Sequence, residues 1–140
     1  MKLTNITKIL LGGALLLGAM TLAQADENKA DPSGTYIWVM HGRNGGMDRT
    51  NTLVLKLEGD QLTGKLSLPG RGGKTRDTEI MDGKVAGNDI SFCLVHTYNG
   101  HSFTNNYSGT LTDGVIKGKI GFVTRNGEAR SRKWEATLQK

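Results

Sequence analysis

Apolar and polar residues alternate with a period of two along most of this chain. Leu53, Leu55 and Leu57 interleave with Thr52, Val54 and Lys56, and Leu62, Leu66 and Leu68 interleave with Thr63, Lys65 and Ser67. Successive side chains of an extended backbone point to opposite faces, so each run predicts a strand with one buried face. Gly59-Asp60 supplies the turn between them. A second pair puts Ile90, Phe92 and Leu94 on one face, turns through Tyr98-Asn99-Gly100-His101, and returns along Phe103, Asn105 and Tyr107. Asn-Gly is a strong hairpin signal because both residues tolerate positive φ. A third pair runs from Ile116, Gly118, Ile120 and Phe122 through Arg125-Asn126-Gly127 to Trp134, Ala136 and Leu138. Residues 34–40 in front and 76–82 in the middle bring the strands to eight, and no window keeps a helical period.

Turn signals about every 8 to 12 residues mark a sandwich or a barrel. Nearly every link is hairpin-short, so neighbours in sequence should be neighbours in space. The expected fold is all-β: a single eight-stranded antiparallel up-and-down barrel, whose closure removes exposed strand edges. A faint repeat supports it. Gly59-Asp60-Gln61-Leu62-Thr63-Gly64-Lys65-Leu66 is echoed by Asp113-Gly114-Val115-Ile116-Lys117-Gly118-Lys119-Ile120, and partly by Gly87-Asn88-Asp89-Ile90-Ser91-Phe92. Glycine at an inward strand position lets the strand bend or a bulky neighbour fill the interior.

The first 25 residues break this pattern. Lys2 and Lys8 flank a polar start, an apolar run extends from Ile9 to Leu22, and Ala23-Gln24-Ala25 precedes Asp26. This order reads as a secretory signal peptide over 1–25. The run is shorter than the roughly 20 apolar residues of a membrane helix, and no cysteine stands at the cleavage point to take a lipid. The expectation is an exported protein, secreted or periplasmic, without a membrane span. Residues 26–33 are polar and contain Asp31-Pro32, which reads as a disordered lead-in to a barrel domain over 34–140.

Charge narrows the partners. The whole chain carries 18 basic and 13 acidic side chains; losing Lys2 and Lys8 with the signal leaves 16 against 13, a net charge of +3. That suits attraction to anionic glycans or envelope surfaces, and no aromatic-basic motif points to nucleic acid. Cys93 is the only cysteine, so no intramolecular disulfide forms and packing must hold the fold. Of the 20 glycines, 17 lie after the signal, as many tight turns require.

The series Gly34-Thr35-Tyr36, Leu62-Thr63-Gly64, Tyr107-Ser108-Gly109 and Lys133-Trp134-Glu135-Ala136-Thr137-Leu138 resembles the strand and turn order of avidin-type barrels within the calycin-like group. That resemblance implies the barrel. It does not bring biotin binding, because Phe92, Leu94 and His96 stand where that group has caging aromatic residues and the chain ends at Gln139-Lys140. The chain also resembles small exported bacterial β-barrel proteins of unknown function. The shared runs are Arg49-Thr50-Asn51-Thr52-Leu53, Leu57-Glu58-Gly59-Asp60, Asp82-Gly83-Lys84-Val85, Tyr107-Ser108-Gly109 and Arg132-Lys133-Trp134-Glu135-Ala136. This implies one compact module and no particular activity.

Two loops, residues 41–49 and 69–76, are rich in Gly and Arg. In a meander they open at the same end and bring Arg43, Asn44, Arg49, Arg71, Lys74 and Arg76 to one mouth. Guanidinium forks and exposed backbone N–H groups there suit a carboxylate, sulfate or phosphate. Arg130 and Arg132 share strand parity with Trp134, so they should point inward, against an anion or an aromatic ring. His41, His96 and His101 lack metal-ligand spacing, and no nucleophile elbow, Cys-His signature or P-loop is present. No cofactor, metal or catalytic residue is assigned. The expected function is a non-enzymatic exported binding module for a small anionic ligand or glycan. The alternative is a protein-interaction module, an inhibitor or envelope accessory, with a hydrolase as the third reading. Cys93 and Val95 have outward parity, and such an apolar stripe allows a homodimer.

Overall fold

A computed structural model describes residues 29–140, so the signal peptide and residues 26–28 of the lead-in lie outside the described residues. Nine strands follow in order: β1 (Gly34–Met40), β2 (Arg49–Glu58), β3 (Gln61–Pro69), β4 (Thr75–Glu79), β5 (Met81–Ala86), β6 (Asp89–Tyr98), β7 (His101–Thr112), β8 (Val115–Val123) and β9 (Ala129–Leu138). All pairings are antiparallel, each strand pairs with its sequence neighbour except across the β4–β5 joint, and β9 returns to β1. The molecule is a closed eight-stranded barrel with one extra strand. Among the described residues no helix is long and apolar enough to cross a membrane.

The extra strand corrects one detail. Residues 76–82 read as one strand in the sequence, whereas the wall breaks at Ile80. β4 pairs with β3 from Lys65↔Glu79 to Pro69↔Thr75, while β5 touches β3 only at Leu62↔Gly83 and pairs mainly with β6. Asp82 takes φ 53, and a Cβ at Gly83 would overlap the Leu62 carbonyl. The chain therefore bends where glycine permits the closest approach of two backbones. The β5–β6 ladder stops at Met81↔Cys93, and no ladder joins β4 to β6.

Inward positions of the period-two runs make the core. Tyr36, Leu53, Leu66, Ile90, Leu94 and Ile116 are fully buried, and each such side chain contributes about 1.5–3 kcal/mol. Trp134 centres an aromatic cluster, edge-on to Trp38 at 5.4 Å, Tyr107 at 5.3 Å and Phe92 at 6.2 Å, with Phe92 and Tyr107 stacked at 4.9 Å. Its indole N–H donates to the Ser108 carbonyl at 3.1 Å. Gly118 lies directly opposite Trp134, and a Cβ there would strike that same carbonyl.

The two ends differ. At one, residues 29–33 lie against the barrel, although the sequence reads as an unstructured lead-in there. Ala30 N–H donates to the Gly87 carbonyl at 2.9 Å, Leu57 N–H to Ser33 Oγ at 3.0 Å, Lys29 meets Asp60 at 2.7 Å, and Pro32 is buried. At the other end the hairpins splay. Pairing of β7 with β8 ends at Asn106↔Gly121, β1 meets β9 only at Tyr36↔Leu138 and Ile37↔Thr137, and the β6–β7 hairpin continues alone to Tyr98↔His101.

Candidate functional site

The splayed end holds a cavity of about 370 Å³, the interior space that the aromatic layer leaves unfilled. Trp38, Leu66 and Tyr107 line it toward the core, and Met40, Leu68 and Pro69 line it toward the rim. Into this apolar frame point Arg49 from β2, Arg76 from β4 and Arg132 from β9. No carboxylate lines the cavity, and none of the three arginines belongs to a salt bridge among the described residues. All three are exposed at the open end, so water solvates them when the cavity is empty. Arg76 Nη2 donates to the Thr97 carbonyl at 3.2 Å across the gap between β4 and β6, and the Arg132 guanidinium sits 5.9 Å from the centroid of the Phe122 ring.

Neutral polar groups complete the lining: Asn51, Asn105 and His96. Asn51 is 1% exposed, and its Nδ2 has no hydrogen-bond partner. A buried amide donor without an acceptor costs about 1–3 kcal/mol. Burial, with the nearby Arg76 charge adding to it, holds the His96 imidazole below its ordinary pKa, which keeps it neutral near pH 7. Burial pushes the Tyr107 hydroxyl up, opposed by Arg132.

Only some of the arginines and loop residues read from the sequence meet here. Arg49, Arg76 and Arg132 line the cavity. Arg71 and Lys74 are exposed on the β3–β4 loop outside the lining. Asn44 is exposed at φ 54 in the one-turn helix Arg43–Gly45, which also carries Arg43 in the β1–β2 loop. Arg130 turns to Glu128 at 2.8 Å. Asn51 and Asn105 were missed, yet parity marks both: Asn51 precedes Leu53, Leu55 and Leu57 on the inward phase, and Asn105 precedes Tyr107. The aromatic ring beneath the Arg132 guanidinium is that of Phe122.

A second concavity adjoins the first on the rim. Tyr98, Phe103 and Arg125 line it, together with Asn99, His101 and Ser102 of the β6–β7 tip. Phe103 is the cross-strand partner of His96, so one residue pair separates the two spaces. On the outer wall Met81 pairs with Cys93 beside exposed Val95, and Cys93 Sγ donates to Asn106 Oδ1 at 3.0 Å.

No family model matches this chain, and no curated protein or solved structure matches it.

Proposed function

We propose that this protein is a non-enzymatic, exported binding module that takes a small anionic molecule, or the anionic end of a cell-envelope glycan, into the open end of its barrel. One observation carries the reading: three guanidinium groups from three separate strands line a concave, largely apolar space that contains no carboxylate. Such a space attracts oxyanions, and each fork offers two parallel N–H donors to a carboxylate or phosphate. The partnerless Asn51 donor supports it, since a ligand acceptor would satisfy that group.

The test is an array of small anions and glycans, followed by titration of the hits. Binding should weaken as salt rises, because the guanidinium groups are exposed and screening acts within about 8 Å at physiological ionic strength. Changing Arg49, Arg76 and Arg132 together to Gln should abolish binding, while changing Arg71 and Lys74 to Gln should leave it nearly intact. Equal loss in both variants would reduce the effect to net charge, and an array without hits would remove the reading.

A protein-interaction role through the outer wall is the second reading, carried by the stripe of Met81, Cys93 and Val95, in which Met81 is 52% exposed. Sedimentation at high concentration tests it: a monomer removes a homodimer through that stripe.

A further inference from the structure

We infer that the ligand is an acidic oligosaccharide that enters charged end first, with its terminal ring in the arginine cavity and the following rings against Tyr98 and Phe103 on the rim. This rests on the anion-binding reading above and specifies its ligand.

Size sets the first constraint. A space of about 370 Å³ falls near the lower end of the roughly 300–1,000 Å³ typical of small-molecule sites. It suits one ring and not a chain, so a longer ligand must continue outside.

Depth sets the second. Asn51 stands opposite Trp38, and Arg49 lies two residues nearer the rim on the same inward face, opposite Met40. The unsatisfied neutral donor is therefore deeper than that guanidinium. The matching molecule places an uncharged acceptor, such as a hydroxyl or ring oxygen, at the bottom and its anionic group beside it, nearer the rim. A uronate ring has that arrangement, with hydroxyls and a carboxylate around one small ring. A fatty acid instead needs a continuous apolar channel, and Asn51, Asn105 and His96 interrupt this one.

The rim supplies the third. Tyr98 is 61% exposed and Phe103 38% exposed, on a hairpin arm that extends past the last ladder pairs with β5 and β8. Large aromatic faces left in water on such an arm are ready platforms for stacking. Asn99, His101, Ser102 and Arg125 surround them with donors and acceptors, as hydroxyl-bearing rings require. The His96–Phe103 pair joins platform to cavity, so one ligand can occupy both without leaving the surface.

Calorimetric titration with oligogalacturonates and oligomannuronates of one to four rings tests this, with citrate, uridine monophosphate and neutral maltotriose as comparators. Affinity should rise at least about tenfold, or about 1.4 kcal/mol, from one ring to three in one of the two series. Maltotriose should not bind. Tyr98→Ala with Phe103→Ala should remove the gain with length yet leave one-ring affinity within about twofold; Tyr98→Ala alone, at the more exposed of the two positions, should remove part of the gain should the pair prove unstable. No gain with length, equal loss for short and long ligands in the variant, or tighter binding of the nucleotide overturns the saccharide. Citrate binding that depends on Arg49, Arg76 and Arg132, without any gain with length, would leave the anion site standing and remove only the oligosaccharide. Silence from every anion would remove both.

Discussion

Asn51 shows how one residue trades stability for a site. Its amide stands at the floor of the cavity with Nδ2 unpartnered, so replacing it by an apolar residue of similar size removes a cost without opening a hole. Asn51→Leu should raise the unfolding free energy by about 1 kcal/mol and weaken anion binding, read from urea midpoints and titration. A less stable variant would show that the amide has a structural partner. His96 works the other way with pH. Its pKa in the fold lies below the ordinary 6.5, so the unfolded chain binds more protons once the pH drops below 6.5. Stability is therefore full above that value and declines as pH falls through it toward the native pKa. His96→Gln should flatten the urea midpoint between about pH 7 and 5 relative to the parent; two parallel curves would refute the assignment. Both residues were within reach of the sequence. Period-two parity puts Asn51 and His96 inside, but it cannot tell which polar residue finds a partner, because that depends on strands distant in the chain.

At the scale of the element, β8 offers a controlled comparison. Gly118 and Gly121 lie three residues apart in one strand, neither with positive φ. A Cβ at Gly118 would collide with the Ser108 carbonyl and Gly109 Cα, whereas at Gly121 the nearest atoms are 3.8 and 3.9 Å away. Gly118→Ala should cost about 3 kcal/mol, since backbone must move and the Trp134 indole shares that carbonyl. Gly121→Ala should stay within about 0.5 kcal/mol. Comparable losses would mean that glycine is needed for chain flexibility and not for close approach. Hairpins themselves were legible: Asn99-Gly100 and Asp113-Gly114 adopt the positive φ pairs of 50° with 76° that such dipeptides favour. The split between β4 and β5 was not, because no glycine or proline interrupts residues 76–82 and the bend comes from Gly83 meeting Leu62 across the wall. Nor was the splaying, since each hairpin specifies its own pairing and leaves that between hairpins to the packed whole.

Across the whole molecule, order is unequal from end to end. One end is tied down by residues 29–33 and by the Gln139 N–H to Thr35 carbonyl bond at 2.8 Å; the other has arms paired along one side only. Amide exchange should reflect it. Segments 75–79 and 96–104 should exchange through local opening, while 106–112 of β7, flanked by β6 and β8, should exchange only with global unfolding. Uniform protection would contradict the splayed arrangement. The free side of β4 has a further consequence, for crowding and not for binding. A short strand with a bare backbone edge is a template on which a second molecule can grow a sheet. Here Arg76, Asp77 and Glu79 line it within five residues, and any copy approaching edge to edge would bring its own charges against them. Replacing Asp77 and Glu79 by Val should turn that guarded edge into a seed for fibres at high protein concentration, whatever becomes of the ligand.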